Sequence, residues 1–146
     1  EFCQGTNSYD AIHGWDNTNI INAKSGDDDV WAYPGSDGVF GENGDDNLNG
    51  GDGKDQIFGE VGEDSYLIVG NAKGLFGGIW ADELFGGTER DFLEGNGGLD
   101  TLYGNDGADT FYAEDGNADY VNGNGANGVQ PCYVDGYDTW VNCEPH

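Results

Sequence analysis

The sequence predicts an all-β fold, a parallel β-roll (a two-sided β-solenoid) of about six coils with a C-terminal cap. Three observations predict it: a nine-residue period, a regular supply of glycine, and one aspartate in nearly every period.

The period is read from the stretch Gly50 to Phe58, GGDGKDQIF, by stepping nine residues in both directions. The eighth position of each unit is then Ile12, Ile21, Val30, Val39, Leu48, Ile57, Tyr66, Leu75, Leu84, Leu93, Leu102 and Phe111, all apolar or aromatic. The sixth is Asp10, Asn19, Asp28, Asp37, Asp46, Asp55, Asp64, Lys73, Asp82, Asp91, Asp100 and Asp109. The first position is Gly in nine units and the fourth in seven. The repeat reads as uninterrupted from Gly5 to Tyr112. A repeat of this kind is a supersecondary unit that must stack on its neighbours to bury its apolar face. Nine residues fit neither an α-helix nor a coiled coil. The Gly-rich part is a turn, and the x-apolar-x part is a short strand with one inward side chain. Two units close one coil, so the inward residues of opposite sides meet in a thin core. Twelve units stacked by parallel pairing give a rod of about 29 Å at ~4.8 Å per strand.

Such a core does not hold the fold alone. Each unit buries one main side chain, worth ~1.5–3 kcal/mol, whereas ordering nine backbone residues costs ~1–2 kcal/mol each. The chain also carries 4 Lys and Arg against 29 Asp and Glu, a net charge of −25 over 146 residues. Without bound counter-ions a compact state of that charge repels itself. Charge of this size is also a mark of disorder, but 13% aromatic residues and the regular spacing of the acids argue for a folded chain. Four cations build no basic patch, so nucleic acid is excluded as a partner. No apolar run approaches the ~20 residues that span a bilayer, so no membrane insertion is expected. Met is absent, and the sequence reads as a processed chain or a fragment.

The ligand follows from the acids. Sixth-position aspartates on one side lie 18 residues apart, and stacking brings their carboxylates and the turn carbonyls of neighbouring coils together. The cage is all oxygen, without His or Cys. Hard oxygen donors of irregular geometry select Ca²⁺ over zinc or copper, and Mg²⁺ prefers a stricter octahedron.

The pattern resembles the RTX, or haemolysin-type, calcium-binding nonapeptide repeat, GGxGxDxUx, over residues 5–112. The resemblance implies a parallel β-roll, folding on several Ca²⁺ ions, and export to an extracellular setting. It also implies that the Asp side chain and turn carbonyls bind each ion. Those roles fall on Asp28, Asp46 and Asp64 on one side and on Asp37 and Asp55 on the other. Asp10, Asp82, Asp91, Asp100 and Asp109 share the position. The fourth-position glycines Gly26, Gly35, Gly44, Gly53, Gly62, Gly98 and Gly107 complete the candidate set. Departures are expected to matter. The unit Ile68–Phe76 has Lys73 in place of Asp, and Trp80 and Glu89 replace the fourth-position Gly. They predict a broken ladder between Asp55 and Asp91, with a calcium-free patch. Asn19 and the non-Gly turns at Ser8 and Asn17 predict weaker sites near the N-terminus.

Residues 1–112 thus form the repeat region, and residues 113–146 read as degenerate repeats and a cap, with Tyr133, Tyr137 and Trp140 closing the core. Cys132 and Cys143, with ten residues between them across a DGYD turn, are expected to form a disulfide. Cys3, at the opposite end, is a free thiol or bonds another chain. The ninth position points outward. It places Phe40, Phe58 and Phe76 on one face and Leu67, Phe85 and Tyr103 on the other, either packed flat along the coil or offered to a partner. No enzyme is expected, because His13 and His146 sit near opposite ends and the acid spacing is explained by the repeat. An ice-binding lattice is disfavoured by the irregular third positions (Asn7, Asp16, Ser25, Pro34). The function expected is a secreted calcium-binding structural repeat protein. The alternative is a subunit of an extracellular filament, adhesin or surface layer that self-associates through Cys3 and the aromatic faces.

Overall fold

The computed structural model describes every residue except Glu63, Ser65, Tyr66, Val69, Gly70, Lys73, residues 125–129 and His146. Among the described residues there are eighteen strands and no helix. The first nine are β1 (Phe2–Gln4), β2 (Ala11–His13), β3 (Ile20–Ser25), β4 (Asp29–Trp31), β5 (Gly38–Asn43), β6 (Asn47–Asp52), β7 (Gln56–Val61), β8 (Leu67–Ile68) and β9 (Asn71–Ala72). The second nine are β10 (Leu75–Ile79), β11 (Glu83–Glu89), β12 (Phe92–Gly97), β13 (Thr101–Gly107), β14 (Thr110–Ala113), β15 (Tyr120–Asn122), β16 (Pro131–Val134), β17 (Thr139–Val141) and β18 (Glu144–Pro145).

They form two eight-stranded parallel sheets, β1-β3-β5-β7-β11-β13-β15-β17 and β2-β4-β6-β10-β12-β14-β16-β18. Successive strands alternate between the sheets, as a two-sided solenoid requires, and the coil winds about seven turns. The core is the eighth position. Ile21, Val39, Ile57, Leu84, Leu102 and Val121 project from one sheet, and Val30, Leu48, Leu75, Leu93, Phe111 and Cys132 from the other, all fully buried.

One register differs from the uninterrupted repeat. Neighbouring strands are offset by 18 residues along the N-terminal half, as in Val39↔Ile57 and Val30↔Leu48. Across the middle of the rod the offset is 27: Leu48 pairs with Leu75, and Ile57 with Leu84. The register of both sheets therefore skips one nine-residue period between Asp64 and Gly74. Within it β8 and β9 pair antiparallel, Leu67 with Ala72 and Ile68 with Asn71. The cause is local. This block has Ile68 and Asn71 where the turn uses Gly at its first and fourth positions, and Lys73 where it uses Asp. It cannot build the turn, and its removal costs the ladder nothing because nine residues are one period. The expectation of a ladder broken between Asp55 and Asp91 is corrected: the rod closes over the gap. Lys73 and Tyr66 themselves lie outside the described residues. Deleting residues 65–73 joins Asp64 to Gly74 as a regular unit, GEVGED-GLF. The shortened chain is expected to keep both sheets and to melt within a few degrees of the parent with calcium present; thermal denaturation followed by circular dichroism checks it.

The same shift redistributes the outward aromatics. Phe40, Phe58 and Phe85 stack face to face at 4.9 and 4.8 Å, and Tyr103 continues the column at 5.1 Å. Phe76 joins the opposite face, beside Phe92 at 5.9 Å, followed by Tyr112 and Tyr133. The aromatics pack along the rod, each on the ring one coil away.

The second position of the unit adopts the left-handed conformation along much of the rod. It is filled by Gly51, Gly78 and Gly87, but also by Lys24, Tyr33, Glu42, Glu60, Asn96 and Asn105, with φ from 65° to 86°. A non-glycine residue there costs ~1–2 kcal/mol. Glu60 also lies directly opposite Glu42 in the sheet, a like-charge pair. Glu60→Gly is expected to stabilise the protein by ~1 kcal/mol, read as a raised urea midpoint.

In the tail the offset lengthens to 19 in one sheet, with Leu102↔Val121↔Trp140, and in the other Phe111 pairs with Cys132 and Cys132 with Pro145. β15 to β18 extend both sheets. The Cys132–Cys143 disulfide is formed, with Cα atoms 5.9 Å apart. Cys132 fills the last core layer and Cys143 packs against it. Tyr137 and Trp140 do not close the core: they are 71% and 39% exposed.

Candidate metal sites in the turns

Each strand is entered through a turn that ends on the sixth-position residue. Its backbone N–H donates to the side chain of the sixth-position Asp one coil further on. In one ladder Asn19 donates to Asp37 Oδ1 at 2.7 Å, Asp37 to Asp55 at 2.8 Å, Asp55 to Asp82 at 2.8 Å, Asp82 to Asp100 at 2.9 Å and Asp100 to Asp119 at 2.8 Å. In the other Asp10 donates to Asp28 at 2.7 Å, Asp28 to Asp46 at 2.8 Å, Asp46 to Asp64 at 2.7 Å, Asp64 to Asp91 at 3.0 Å and Asp91 to Asp109 at 3.0 Å. All ten predicted aspartates thus stand in two continuous ladders. Beyond the looped-out block the sides are exchanged: Asp64 is followed by Asp91 and Asp55 by Asp82, not Asp64 by Asp82 as an unbroken repeat implies. Asp119, which follows Asp100 after 19 residues, extends the first ladder and was hidden from a strict period of nine.

One oxygen of each carboxylate is thereby used, and the other is not. Oδ2 of Asp28, Asp37, Asp46, Asp55, Asp64, Asp82, Asp100, Asp109 and Asp119 is buried and receives no hydrogen bond. Asp10 differs: the Thr6 N–H and hydroxyl donate to its Oδ2 at 2.6 and 2.9 Å. Burying an ionised carboxylate with an unpaired oxygen is costly enough that the group neutralises or finds a cation.

The surroundings of the orphaned oxygens are carbonyls. A β-carbon placed on Gly50 would lie 2.5 Å from Asp55 Oδ2 and 2.8 Å from the Gly77 carbonyl oxygen. At Gly77 the same point lies 2.7 Å from Asp82 Oδ2 and 2.8 Å from the Gly95 oxygen, and at Gly86 it lies 2.8 Å from the Gly104 oxygen. The first-position glycines therefore keep a side-chain-free space between an Asp oxygen and the next coil's carbonyl. They are candidate site residues absent from the predicted set, although glycine in nine of twelve units marked them. Of the predicted fourth-position glycines, Gly26, Gly44 and Gly53 have φ of 127°, 134° and 139°. A β-carbon on Gly44 would collide with the Gly26 oxygen, one on Gly53 with the Gly35 oxygen, one on Gly62 with the Gly44 oxygen, and one on Gly98 with the Trp80 oxygen. A β-carbon on Gly35 would lie 2.5 Å from the Asn17 oxygen and 2.7 Å from Asp37 Oδ1. Gly107 pairs with Glu89 across the sheet.

No group of three or more His, Cys, Asp or Glu side chains gathers around one point among the described residues. The donor set is instead one carboxylate per coil with backbone carbonyls from two coils. Such a set is hard, all oxygen and irregular, which fits Ca²⁺ and does not fit zinc. Bound there, calcium supplies the positive charge that the buried carboxylates lack.

Burial pushes the proton affinity of these acids upward, against the opposing pull of the N–H bond to Oδ1. Asp46 and Asp82 are raised to about 8, Asp64 and Asp119 to about 7, and Asp55, Asp100 and Asp109 to about 6. Asp28 and Asp37 are raised for the same reason. Neighbouring carboxylates add to the effect, as Asp64 and Asp28 do at Asp46.

The family model of the RTX calcium-binding nonapeptide repeat, in four copies, matches residues 4–30, 31–66 and 85–118, more than half of the chain. The unmatched stretch between the second and third segments, residues 67–84, contains strands β8 and β9, which pair with each other outside the two large sheets. No curated protein matches the chain. With the repeat, the two-sided parallel sheets and the oxygen-lined turns in agreement, the chain belongs to the RTX calcium-binding nonapeptide repeat family.

Proposed function

We propose that this calcium-binding repeat protein is a secreted structural module, not an enzyme, whose coils are assembled and held by several Ca²⁺ ions. The observation that carries the reading is the row of buried Asp Oδ2 atoms without a hydrogen-bond donor. At neutral pH such an array must either take up protons or hold cations among its carboxylates, and calcium supplies the second. The disulfide supports an oxidising, extracellular setting. His13 supports the non-enzymatic reading: its ring lies 4.9 Å from Trp31 and 5.8 Å from Tyr33, and Nδ1 is 2.9 Å from the Tyr33 hydroxyl. It is a packing residue in an aromatic stack.

The test is a far-UV circular dichroism titration of chelated protein with calcium, repeated with magnesium. A cooperative gain of β signal with calcium, and none with magnesium at the same concentration, is the expected result. A β spectrum indifferent to chelator defeats the proposal.

A second reading, assembly into a filament or surface layer, draws on the open ends. Cys3 is a free, part-exposed thiol on β1, an edge strand. Sedimentation velocity with and without reductant separates the two: a single monomeric species in both removes the assembly reading.

A further inference from the structure

The two ladders do not begin as they continue. At the first rung of one stands Asn19, fully buried. Its Nδ2 lies 2.9 Å from the Trp15 oxygen, 2.5 Å from the Asn17 oxygen, 3.3 Å from the Ala32 oxygen and 3.1 Å from Asp37 Oδ1. Three turn carbonyls and a carboxylate from two coils converge on one NH₂ group. At the later rungs the same neighbourhood holds an Asp oxygen and carbonyls with no donor between them. The amide orientation follows from chemistry: turned over, Asn19 Oδ1 would face four acceptors and no donor. At the first rung of the other ladder, Asp10 Oδ2 accepts from the Thr6 N–H and hydroxyl.

We propose that the first rung of each ladder is closed by hydrogen-bond donors of the chain itself, the Asn19 amide in one and Thr6 in the other, in the place that calcium takes further along. The N-terminal coil is then a cation-independent cap, and the run of calcium sites starts at the following coil. An amide suits the task because it has the shape of a carboxylate, carries no charge and offers N–H groups to the carbonyls. Its own Oδ1 remains without a donor, a smaller burden for a neutral oxygen than for an ionised one. The far end of the second ladder repeats the device. Gln130, 1% exposed, follows Asp109 there and donates from Nε2 to the Gly107 oxygen at 3.2 Å. A cap that needs no metal presents formed strand edges before calcium arrives, so stacking of the following coils has a template.

The inference rests on the calcium-binding reading, and native mass spectrometry of the full chain in saturating calcium separates the two. Asn19→Asp is expected to bind one calcium ion more than the parent, and Asn19→Ala the same number as the parent with a lower thermal midpoint. Terbium luminescence gives a second readout: in Asn19→Asp a new sensitised site appears beside Trp15. A parent chain that binds no calcium overturns the calcium-binding reading itself. A calcium-binding parent with an unchanged count in Asn19→Asp, or a count lower by one in Asn19→Ala, shows that Asn19 is already a ligand and overturns the inference alone. Failure of Asn19→Asp to fold in calcium counts against it equally.

Discussion

Asp46→Asn is expected to destabilise the calcium-loaded protein and to stabilise the calcium-free one. Asp46 sits mid-ladder, fully buried, with Oδ1 accepting the Asp28 N–H at 2.8 Å and Oδ2 unpartnered. With calcium, the carboxylate is half of a buried charge pair. Removing one partner of such a pair costs about 3–5 kcal/mol, because the other is left buried and uncompensated. Without calcium, the same group is the problem: desolvation and the charges of Asp64, Asp28 and Asp27 raise its pKa to about 8, so at neutral pH it must take up a proton to stay buried. An amide relieves both effects, keeps an acceptor for the Asp28 N–H, and offers its NH₂ to the turn carbonyls as Asn19 does. The gain is about 1–3 kcal/mol, the usual cost of one unsatisfied buried polar group. Urea titrations in calcium and in chelator measure both signs. A loss of stability in both buffers, or in neither, would sink the account of Oδ2 as a calcium ligand. For a chain that is unfolded in chelator, the second measurement is the urea midpoint in excess magnesium or at pH 5, where the parent retains structure.

Most of this organisation was legible in the sequence, for a physical reason: a core one residue deep permits only one apolar position per unit, so Ile57 or Leu84 could not drift without leaving the core. The aspartates were legible because the turn has one place for a short acceptor. The looped-out block was not. It removes one period, so Leu75, Leu84 and Leu93 keep their phase and only their side of the rod changes, which apolar periodicity does not record. Its composition, Ile68, Asn71 and Lys73 against Gly, Gly and Asp, was visible, but it reads equally as a damaged rung and as an expelled one. The left-handed second position was hidden too, because Lys24, Tyr33 and Glu42 occupy it in defiance of their preference; the sheet on either side forces it. Asn19 was visible as a departure from Asp, but only the geometry shows its NH₂ among four oxygens.

Acidity should act on the two states in opposite directions. In the calcium-free protein the buried aspartates hold their protons up to about pH 8 at Asp46 and Asp82 and about 7 at Asp64 and Asp119, against 3.8 for an ordinary aspartate. Between those limits the folded chain binds more protons than the unfolded one, so its stability falls as pH rises from about 4 to about 8. In chelator the roll is therefore expected to be most ordered near pH 4–5 and to lose structure through pH 6–8. Calcium reverses the trend. It binds the ionised carboxylates and displaces their protons, so each proton displaced per ion weakens binding about tenfold for every unit of acidification below the folded pKa. Circular dichroism from pH 4 to 9 in chelator, with calcium affinities at pH 6 and pH 8, checks both halves. Calcium affinity that is flat across this range would mean that the carboxylates are already ionised in the free protein. Their unpartnered oxygens would then have to be open to water, contrary to the burial of Asp46, Asp64 and Asp82.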